Sequence, residues 1–399
     1  MDSAPYDPLD LSDHHDAQRL LALARQCCPV SQPHPGVNLV ATDPLARAVL
    51  QSPRQFSSHF NFSLDPGPAP DDNSREHRLI THIDPPGHTV LRGFLRRWFA
   101  PMALRKREPI VRAIVEELFE TLPSRGCIDL VAQIAQVVPQ RVVYSLIGIP
   151  RRDWEMVQEW SDEANATLPR QNLEVVEKLR SYLSDLVADR SAGAERDATI
   201  VDGFLYPRDD EPTYGAHEIP EHLRQLILAG TDTTTGLIAN LFFRLLEHRG
   251  NWMRILTEPS LIPGAIEESL RCDSPIQYTL RTVSEAAEVG GCPVAPRDRM
   301  VVSLQSANWD ESVWGETSQS YDLDRPGAAG HIAFGSGIHA CLGGPLARIE
   351  ARVVLEMMLA RYPGLRLSDS YEWEPAPALQ MRRPKNLLVD LSPTAPLSD

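Results

Sequence analysis

The 399-residue sequence predicts a mainly α-helical protein with a small β part. From Gly87 onward, apolar residues recur at spacings of three and four over long stretches, which is the pattern of helices with one buried face. Strand-like stretches are few, and Gly and Pro separate them. Helices are therefore predicted over 87–99, 104–122, 129–147, 152–168, 172–191, 220–248, 262–271 and 342–361, and strands over 278–289, 292–304 and 376–392.

The N-terminal part carries weaker helix signals. Residues 1–35 are predicted to be a partly irregular segment that contains a short helix at Ala17–Arg25, and a second helix follows over 42–50 after an Asp-Pro start. Residues 57–86 are rich in Pro, Asp and Ser and are predicted to form a long loop. Because there is no repeat and no change of composition along the chain, residues 1–399 are predicted to be a single domain.

The charge of the chain excludes some partners. With 39 Lys and Arg against 54 Asp and Glu, the formal net charge is −15, which leaves no global basic field for nucleic acid or an anionic membrane. The first thirty residues have no basic and then apolar signal pattern, and no uninterrupted apolar run is long enough to cross a bilayer. The six cysteines are scattered without zinc-site spacing. A reducing, cytoplasmic location is therefore expected.

The strongest sequence feature is a glycine-bearing turn that leads to Cys341. A helix is predicted to begin there, because apolar residues follow at Leu346, Ile349, Val353 and Met357. At a helix N-terminus the dipole and the unpaired N–H groups favour a thiolate. An isolated cysteine is most often a buried structural residue. Glycines at 335, 337 and 343 would let the backbone approach a flat ligand closely.

This segment resembles the cysteine-ligand loop of cytochromes P450, whose pattern is Phe-Gly-x-Gly-x-His-x-Cys-x-Gly. Each specified position is met, by Phe334, Gly335, Gly337, His339, Cys341 and Gly343. The resemblance extends over about residues 35–393. It implies the cytochrome P450 fold, a triangular helical bundle around a buried haem b, with Cys341 as the ligand of the iron and Phe334, His339 and Gly343 beside the cofactor.

Inside the predicted helix 220–248, the segment Ala-Gly-Thr-Asp-Thr-Thr begins at Ala229. Taken alone, it predicts a kink, since Gly and hydroxyl side chains weaken a helix. It is similar to the central-helix pattern of cytochromes P450. The resemblance implies that Ala229 and Gly230 lie at the haem and that Asp232 and Thr233 relay protons to bound dioxygen. Likewise, Glu268 and Arg271 match the Glu-x-x-Arg structural pair of the family.

Four basic side chains are candidates for holding the haem propionates. His88 and Arg92 are four residues apart on one predicted helix, and two groups of like charge on one face suggest a shared anion. The resemblance adds Arg281 and His339 to this set. Alone, each of the four would be a surface residue.

Residues 92–107 contain six Lys or Arg and no acid. Such a run is usually a solvated face. Because the matching helix of the family lies on the cysteine side of the haem, Arg96 and Arg97, with Arg105 and Lys106, are hypothesised to steer an acidic ferredoxin.

Together these features predict a haem-thiolate monooxygenase that takes two electrons from a separate ferredoxin and ferredoxin reductase. It would hydroxylate a small organic molecule, in secondary metabolism or catabolism. The alternatives are a haem-binding sensor or scaffold without turnover, a P450-type enzyme for coupling, nitration or peroxide-driven oxidation, and a non-haem enzyme with Cys341 as nucleophile and His339 as base. The substrate pocket is expected to draw on residues 57–80, 277–280 and 377–379, on Leu226 and Ala229, and on Phe56, Phe60 and Phe62.

Overall fold

The computed structural model describes residues 6–8, 10, 16–59, 79–166, 173–193, 197–378 and 380–392. The chain forms two compact units, each assembled from several segments. The first unit comprises Met1–His88, Ser260–Leu342 and Leu379–Arg383, and the second comprises Thr89–Pro259, Gly343–Ala378 and Pro384–Asp399. The single-domain organisation stays a prediction.

Helices dominate the described residues, and the prediction of a mainly α-helical protein is confirmed. In chain order they are α1 Ala17–Cys27, α2 Asp43–Leu50, α3 Gly87–Phe99, α4 Pro101–Glu120, a π-helical turn Val131–Ala135, α5 Val137–Ile147, α6 Trp154–Ala166, α7 Leu173–Ala192, α8 Ile200–Leu205, α9 Ile219–Glu247, α10 Arg249–Thr257, α11 Ile262–Cys272, α12 Leu304–Asn308, α13 Glu311–Trp314 and α14 Gly344–Arg361.

Strands form a minor part of both units. They are β1 Val30–His34, β2 Val37–Val40, β3 Phe56–Ser57, β4 Gly126–Asp129, β5 Tyr278–Val283, β6 Ala287–Val289, β7 Cys292–Val294, β8 Arg299–Ser303, β9 Arg366–Leu367 and β10 Leu388–Leu391. The strand predicted over 376–392 was wrong for most of its length. Only β10 is regular there, because two prolines, Pro377 and Pro384, interrupt the segment before it and remove ladder donors.

The first unit is built on a five-stranded sheet with the order β1-β2-β8-β5-β3. Strands β2 and β8 run parallel, and the other neighbours are antiparallel. Two apolar clusters cover the sheet, one that includes Val49, Phe56 and Val302 and one that includes Leu39, Tyr278 and Trp309. This sheet fixes the direction of the side chains of β5, which alternate between its faces.

The second unit surrounds the long helix α9. Helices α5, α7, α10 and α14 pack against α9, and α4 packs against α14. Strands β4, β10 and β9 form a small sheet of their own. By length and composition α9 is apolar enough to cross a membrane, yet 61% of its most apolar window is buried, as in the core helix of a soluble protein.

The predicted pair on α11 is present in the first unit. The guanidinium of Arg271 donates from Nε and Nη2 to the two carboxylate oxygens of Glu268, over 2.8 and 2.7 Å. Both side chains are fully buried. Arg325, which the sequence did not point to, donates to the same carboxylate over 2.8 Å. The three residues therefore form one buried charged network.

Candidate functional site

The cysteine loop belongs to the first unit and is closed by its own backbone. The N–H of Cys341 donates to the carbonyl of Phe334 over 2.8 Å, and Ala340 N–H donates to the carbonyl of Gly337 over 3.1 Å. Gly337 has a φ of +73°, and a Cβ there would collide with the carbonyl oxygen of Leu50. Only glycine meets both conditions without strain. The shape of the loop is thus held by its own backbone hydrogen bonds and by glycine at position 337.

Cys341 is exposed, so its sulfur is accessible to a ligand. The prediction that Cys341 begins a helix needs a correction. Helix α14 begins at Gly344, and Gly343 is its N-cap in the second unit. Because the favourable effect of a helix dipole falls off within the first turn, it contributes less to the thiolate of Cys341 than the sequence suggested.

Two of the predicted propionate donors come together in the first unit. The rings of His88 and His339 have centroids 4.2 Å apart. His88 is buried and His339 is half-buried. Their closeness supports a shared role, since two imidazoles that face one site can both donate hydrogen bonds to an anion.

Arg281 lies on β5 in the same unit and is only 3% exposed. Its Nη1 donates to the carbonyl of Leu280 over 2.7 Å and to Thr279 Oγ1 over 3.3 Å. Burial lowers the pKa of the Arg281 guanidinium to about 10, and the negative charge of Asp84 acts in the opposite direction. The carbonyl of Leu280 and the hydroxyl of Thr279 are neutral, and a buried guanidinium suits an added carboxylate.

A second buried arginine was missed by the sequence reasoning. Arg299 on β8 is 1% exposed and donates to the hydroxyl of Thr282 and, over 3.2 Å, to the carbonyl of His59. Nothing in its sequence context distinguishes Arg299 from a surface residue. Its contacts hold the end of β3 against β5.

In the second unit, α9 presents an open stripe in an otherwise buried helix. Ala229 is exposed, and Leu226, Gly230, Asp232 and Thr233 are partly accessible. Leu226, Ala229, Gly230 and Thr233 follow the spacing of one helical face, and Asp232 lies at its edge. The Thr233 hydroxyl donates to the carbonyl of Ala229 over 2.8 Å, and α9 remains helical through this turn. The predicted weakening thus takes the form of a side-chain hydrogen bond to the backbone, not of a break.

Gly230 has a packing role. A Cβ at this position would lie 2.7 Å from Cγ2 of Val143 on α5, so a side chain would push the two helices apart. Close approach of α5 therefore requires glycine here, whatever else Gly230 contacts.

The basic run on α3 and α4 is only partly available to a partner. Arg96, Arg105 and Lys106 are exposed. Arg97 instead forms an ion pair with Glu211, and its guanidinium lies 4.0 Å from the ring centroid of Trp98. The pair with Glu211 reduces the positive charge that Arg97 offers to a partner, and its role in steering a ferredoxin stays a prediction. Arg92 is half-buried on α3 in the second unit.

The predicted pocket residues have mixed outcomes. Tyr278 and Leu280 pack into one apolar cluster of the first unit, and Phe56 packs into the other cluster; their role in a pocket stays a prediction. On the opposite face of β5, Thr279 is half-buried. Gln277 is buried and Pro377 is exposed. Residues 60–78, with Phe60 and Phe62, and Leu379 lie outside the described residues.

The donor set fits a haem. An exposed thiol on a preformed loop suits iron, and the buried Arg281 with the paired rings of His88 and His339 suits carboxylates. Among the described residues, there is no group of three or more His, Cys, Asp or Glu that would hold a metal ion by side chains alone. A metal bound through Cys341 would therefore need other ligands, which a porphyrin provides.

Comparisons with known proteins agree. The Cytochrome P450 family model matches residues 253–386. The erythromycin C-12 hydroxylase of Saccharopolyspora erythraea is 32% identical over 353 residues, which are 86% of each chain. The vitamin D(3) 25-hydroxylase of Pseudonocardia autotrophica is 33% identical over 300 residues, which are 73% of this chain and 72% of the relative. The substrate-free crystal structure of CYP109E1 from Bacillus megaterium superposes with a TM-score of 0.85 at 28% identity, over 96% of this chain and all of that one. The chain therefore belongs to the cytochrome P450 family, as an oxidoreductase that uses haem b.

Proposed function

We propose that this protein hydroxylates a small organic molecule with dioxygen, using two electrons from a separate ferredoxin and ferredoxin reductase in the cytoplasm. Two relatives named above are a macrolide hydroxylase and a vitamin D(3) hydroxylase, which supports hydroxylation of an apolar C–H bond. Nucleic acid and membrane are not among the proposed partners. Secondary metabolism or catabolism would supply such a substrate.

Cys341 is proposed as the ligand of the iron, and His88, Arg92, Arg281 and His339 as donors to the haem carboxylates. When bound, a cysteine-ligated haem activates dioxygen, because the thiolate donates electron density that promotes cleavage of the O–O bond. The protein's own contribution is to orient the substrate, to exclude water and to deliver protons. Ala229, Gly230, Phe334 and Gly343 are proposed to lie beside the ring.

The observation that carries this proposal is the open stripe on α9. There the hydroxyl of Thr233 is held by the carbonyl of Ala229 at 2.8 Å, next to the partly accessible carboxyl of Asp232. The Thr233 hydroxyl donates its one proton to this carbonyl and keeps two lone pairs that can accept a hydrogen bond, and rotation away from the carbonyl frees the proton for donation. Asp232 and Thr233 are therefore proposed as a proton relay, which a gas sensor or scaffold does not require.

Replacing the hydroxyl tests the relay. Thr233→Val keeps the shape of the side chain and removes the donor, so electrons should be diverted from product to hydrogen peroxide. With a substrate chosen by its spin-state shift, we expect the ratio of product to peroxide to fall by about 10²-fold, the lower range for loss of a proton-transfer group. Thr233→Ser should retain most of the coupling.

Thr235→Val is the matched control. The Thr235 hydroxyl donates to the carbonyl of Thr231 over 3.1 Å on the buried side of the same helix. This variant removes an equivalent bond away from the open stripe and should leave the product ratio unchanged. Equal coupling in Thr233→Val and wild type would contradict the relay, and full activity with peroxide alone would favour a peroxygenase.

The exposed basic residues Arg96, Arg105 and Lys106 are proposed to steer the ferredoxin. Charge reversal at Arg96 and Arg105 should lower the rate of electron transfer about tenfold at low salt and flatten its dependence on salt. Arg151→Glu, at an exposed arginine elsewhere in the second unit, is the control and should change neither quantity. The same rates and salt slopes in all three proteins would exclude this surface.

A further inference from the structure

The backbone that leads into the cysteine loop is held by two side chains of the first unit. The N–H of Ala333 donates to Nδ1 of His331, two residues earlier in the chain, over 3.1 Å. The N–H of Ile332 donates to Oδ1 of Asn308, at the end of α12, over 2.8 Å. Both bonds are buried, so neither donor can turn to water instead. The start of the loop therefore depends on these two acceptors for its position.

The acceptor role of His331 fixes where its ring carries a proton. Because Nδ1 accepts from Ala333, the proton of the neutral ring is on Nε2. Nε2 lies 3.2 Å from Oε2 of Glu267 on α11, and the two side chains are 1% and 16% exposed. Among the described residues Nε2 has no acceptor in line with its N–H, so this contact is an attraction between the N–H dipole and a nearby charge. The carboxylate thus favours the tautomer that leaves Nδ1 able to accept.

The contacts of His331 continue to the backbone of Cys341. The rings of His331 and Phe334 have centroids 5.9 Å apart. The carbonyl of Phe334 accepts from the N–H of Cys341 over 2.8 Å. A displacement of Ala333 would carry Phe334 with it, because the two residues share a rigid peptide unit. The position of the cysteine is therefore connected, contact by contact, to the ring of His331.

We propose that His331 is a positioning residue whose tautomer is set by Glu267, and that this pair keeps Cys341 bound to the iron as a thiolate. The inference rests on the proposed function only in taking Cys341 as the ligand. Adjacent acids on α11 then have different tasks. Glu268 binds the guanidinium of Arg271 within the buried charged network, whereas Glu267 acts on the cysteine loop through His331.

Three substitutions separate the two ring nitrogens. His331→Asn keeps an oxygen near the position of Nδ1, and asparagine readily accepts from the backbone N–H two residues later. His331→Gln places its amide near the position of Nε2 and leaves the N–H of Ala333 without that acceptor. His331→Phe keeps a ring against Phe334 and removes both nitrogens. The proposal requires the asparagine variant to behave like wild type and the other two to differ from it.

The measurement uses the haem-loaded proteins, reduced and saturated with carbon monoxide, in a fixed urea concentration well below the unfolding transition. The rate at which the far-red Soret band is lost reports loss of the thiolate ligand. For His331→Gln and His331→Phe we expect this rate to rise by up to about tenfold, which is about 1.4 kcal/mol and of the order of one hydrogen bond. Glu267→Leu should have a smaller effect in the same direction, because the ring of His331 can still adopt the same tautomer.

Leu21→Ala is the control for general destabilisation. Leu21 is fully buried in the apolar cluster that includes Trp309, on α1, and its truncation weakens the first unit without removing a contact of residues 331–334. We expect its band to be lost at the wild-type rate. A rate as high as that of His331→Phe would overturn the proposal, since a weaker fold would then explain the loss.

Equal rates in His331→Asn and His331→Gln would also overturn it, and this comparison decides if His331→Phe does not accumulate. Slow loss in wild type and His331→Asn with fast loss in His331→Gln supports it. The wild-type spectrum tests the proposed function separately. If the far-red band is absent from wild type, the assignment of Cys341 fails, whereas a normal wild-type band with equal rates in all variants refutes only the role of His331.

Discussion

Replacing Arg271 by Met should cost the first unit a large part of its stability. The Arg271 side chain is 0% exposed and binds both carboxylate oxygens of Glu268. It also donates to the backbone carbonyls of Asn308, at 2.8 Å, of Ser320, at 3.0 Å, and of Ser318. Methionine has nearly the same length but none of these donors.

The magnitude follows from what the substitution leaves behind. Breaking a buried ion pair by removing one partner costs about 3–5 kcal/mol. Arg325 still donates to Glu268 over 2.8 Å, which lowers the cost, while the carbonyls that lose their donor raise it again. We therefore expect a loss of about 4 kcal/mol, against a total of about 5–15 kcal/mol for a typical protein.

The assay is urea unfolding followed by fluorescence, with Arg151→Met as the control. With a slope of about 3 kcal/mol/M, the midpoint for Arg271→Met should fall by roughly 1.3 M. Arg151 pairs with Glu117, but their side chains are 60% and 49% exposed, so its loss should cost less than about 1 kcal/mol. Equal midpoints for the two variants would refute the reasoning. If Arg271→Met does not accumulate, Arg271→Lys, which keeps the charge without the fork, gives the same comparison.

Two further perturbations act on the second unit. Burial raises the pKa of Glu350 in the folded protein well above its ordinary value, because the buried carboxyl resists ionisation. The stability of the folded protein is therefore highest below the pKa that Glu350 has in the unfolded chain, and it falls as pH rises from that value to the pKa in the folded protein. The stability gained by Glu350→Gln should therefore grow by about 1.4 kcal/mol per pH unit between these two pKa values, and a gain that is constant from pH 5 to 7 in unfolding experiments would contradict this. A Cβ at Gly203 would collide with the ring of Trp98, so Gly203→Ala should cost about 1–3 kcal/mol. Gly93 on α3 is exposed, and a Cβ there would meet nothing within 4 Å, so Gly93→Ala should stabilise by up to about 1 kcal/mol. Equal melting temperatures for these two variants would exclude the packing argument.

The sequence predicted the long helices well because each buries one apolar face. Helix α3 was predicted with its observed ends, and α9 within one residue at each end. Strand β1 was missed because its sequence Val-Ser-Gln-Pro-His does not alternate and contains proline, and β2 was missed because its four residues are too few for a clear pattern. Helix α12 was missed because its buried residues include the polar Gln305 and Asn308, whose hydrogen bonds come from distant parts of the chain.

The candidate site was predictable where motifs are local in sequence. The closeness of His88 and His339, by contrast, joins residues about 250 positions apart and entered through the family resemblance. The ion pair of Arg97 with Glu211 was not predictable, because the sequence shows the sign of a charge but not its partner, which is 114 residues away.

The central claim is that Cys341 binds the iron of a haem as a thiolate. It is tested most directly by the absorption spectrum of the dithionite-reduced protein with carbon monoxide, recorded for wild type and for Cys341→Ser. We predict that the Soret band of the wild type lies at the far-red position that gives the family its name, and that Cys341→Ser lacks this band. A wild-type band at the position of histidine-ligated haem, unchanged in Cys341→Ser, would contradict the account.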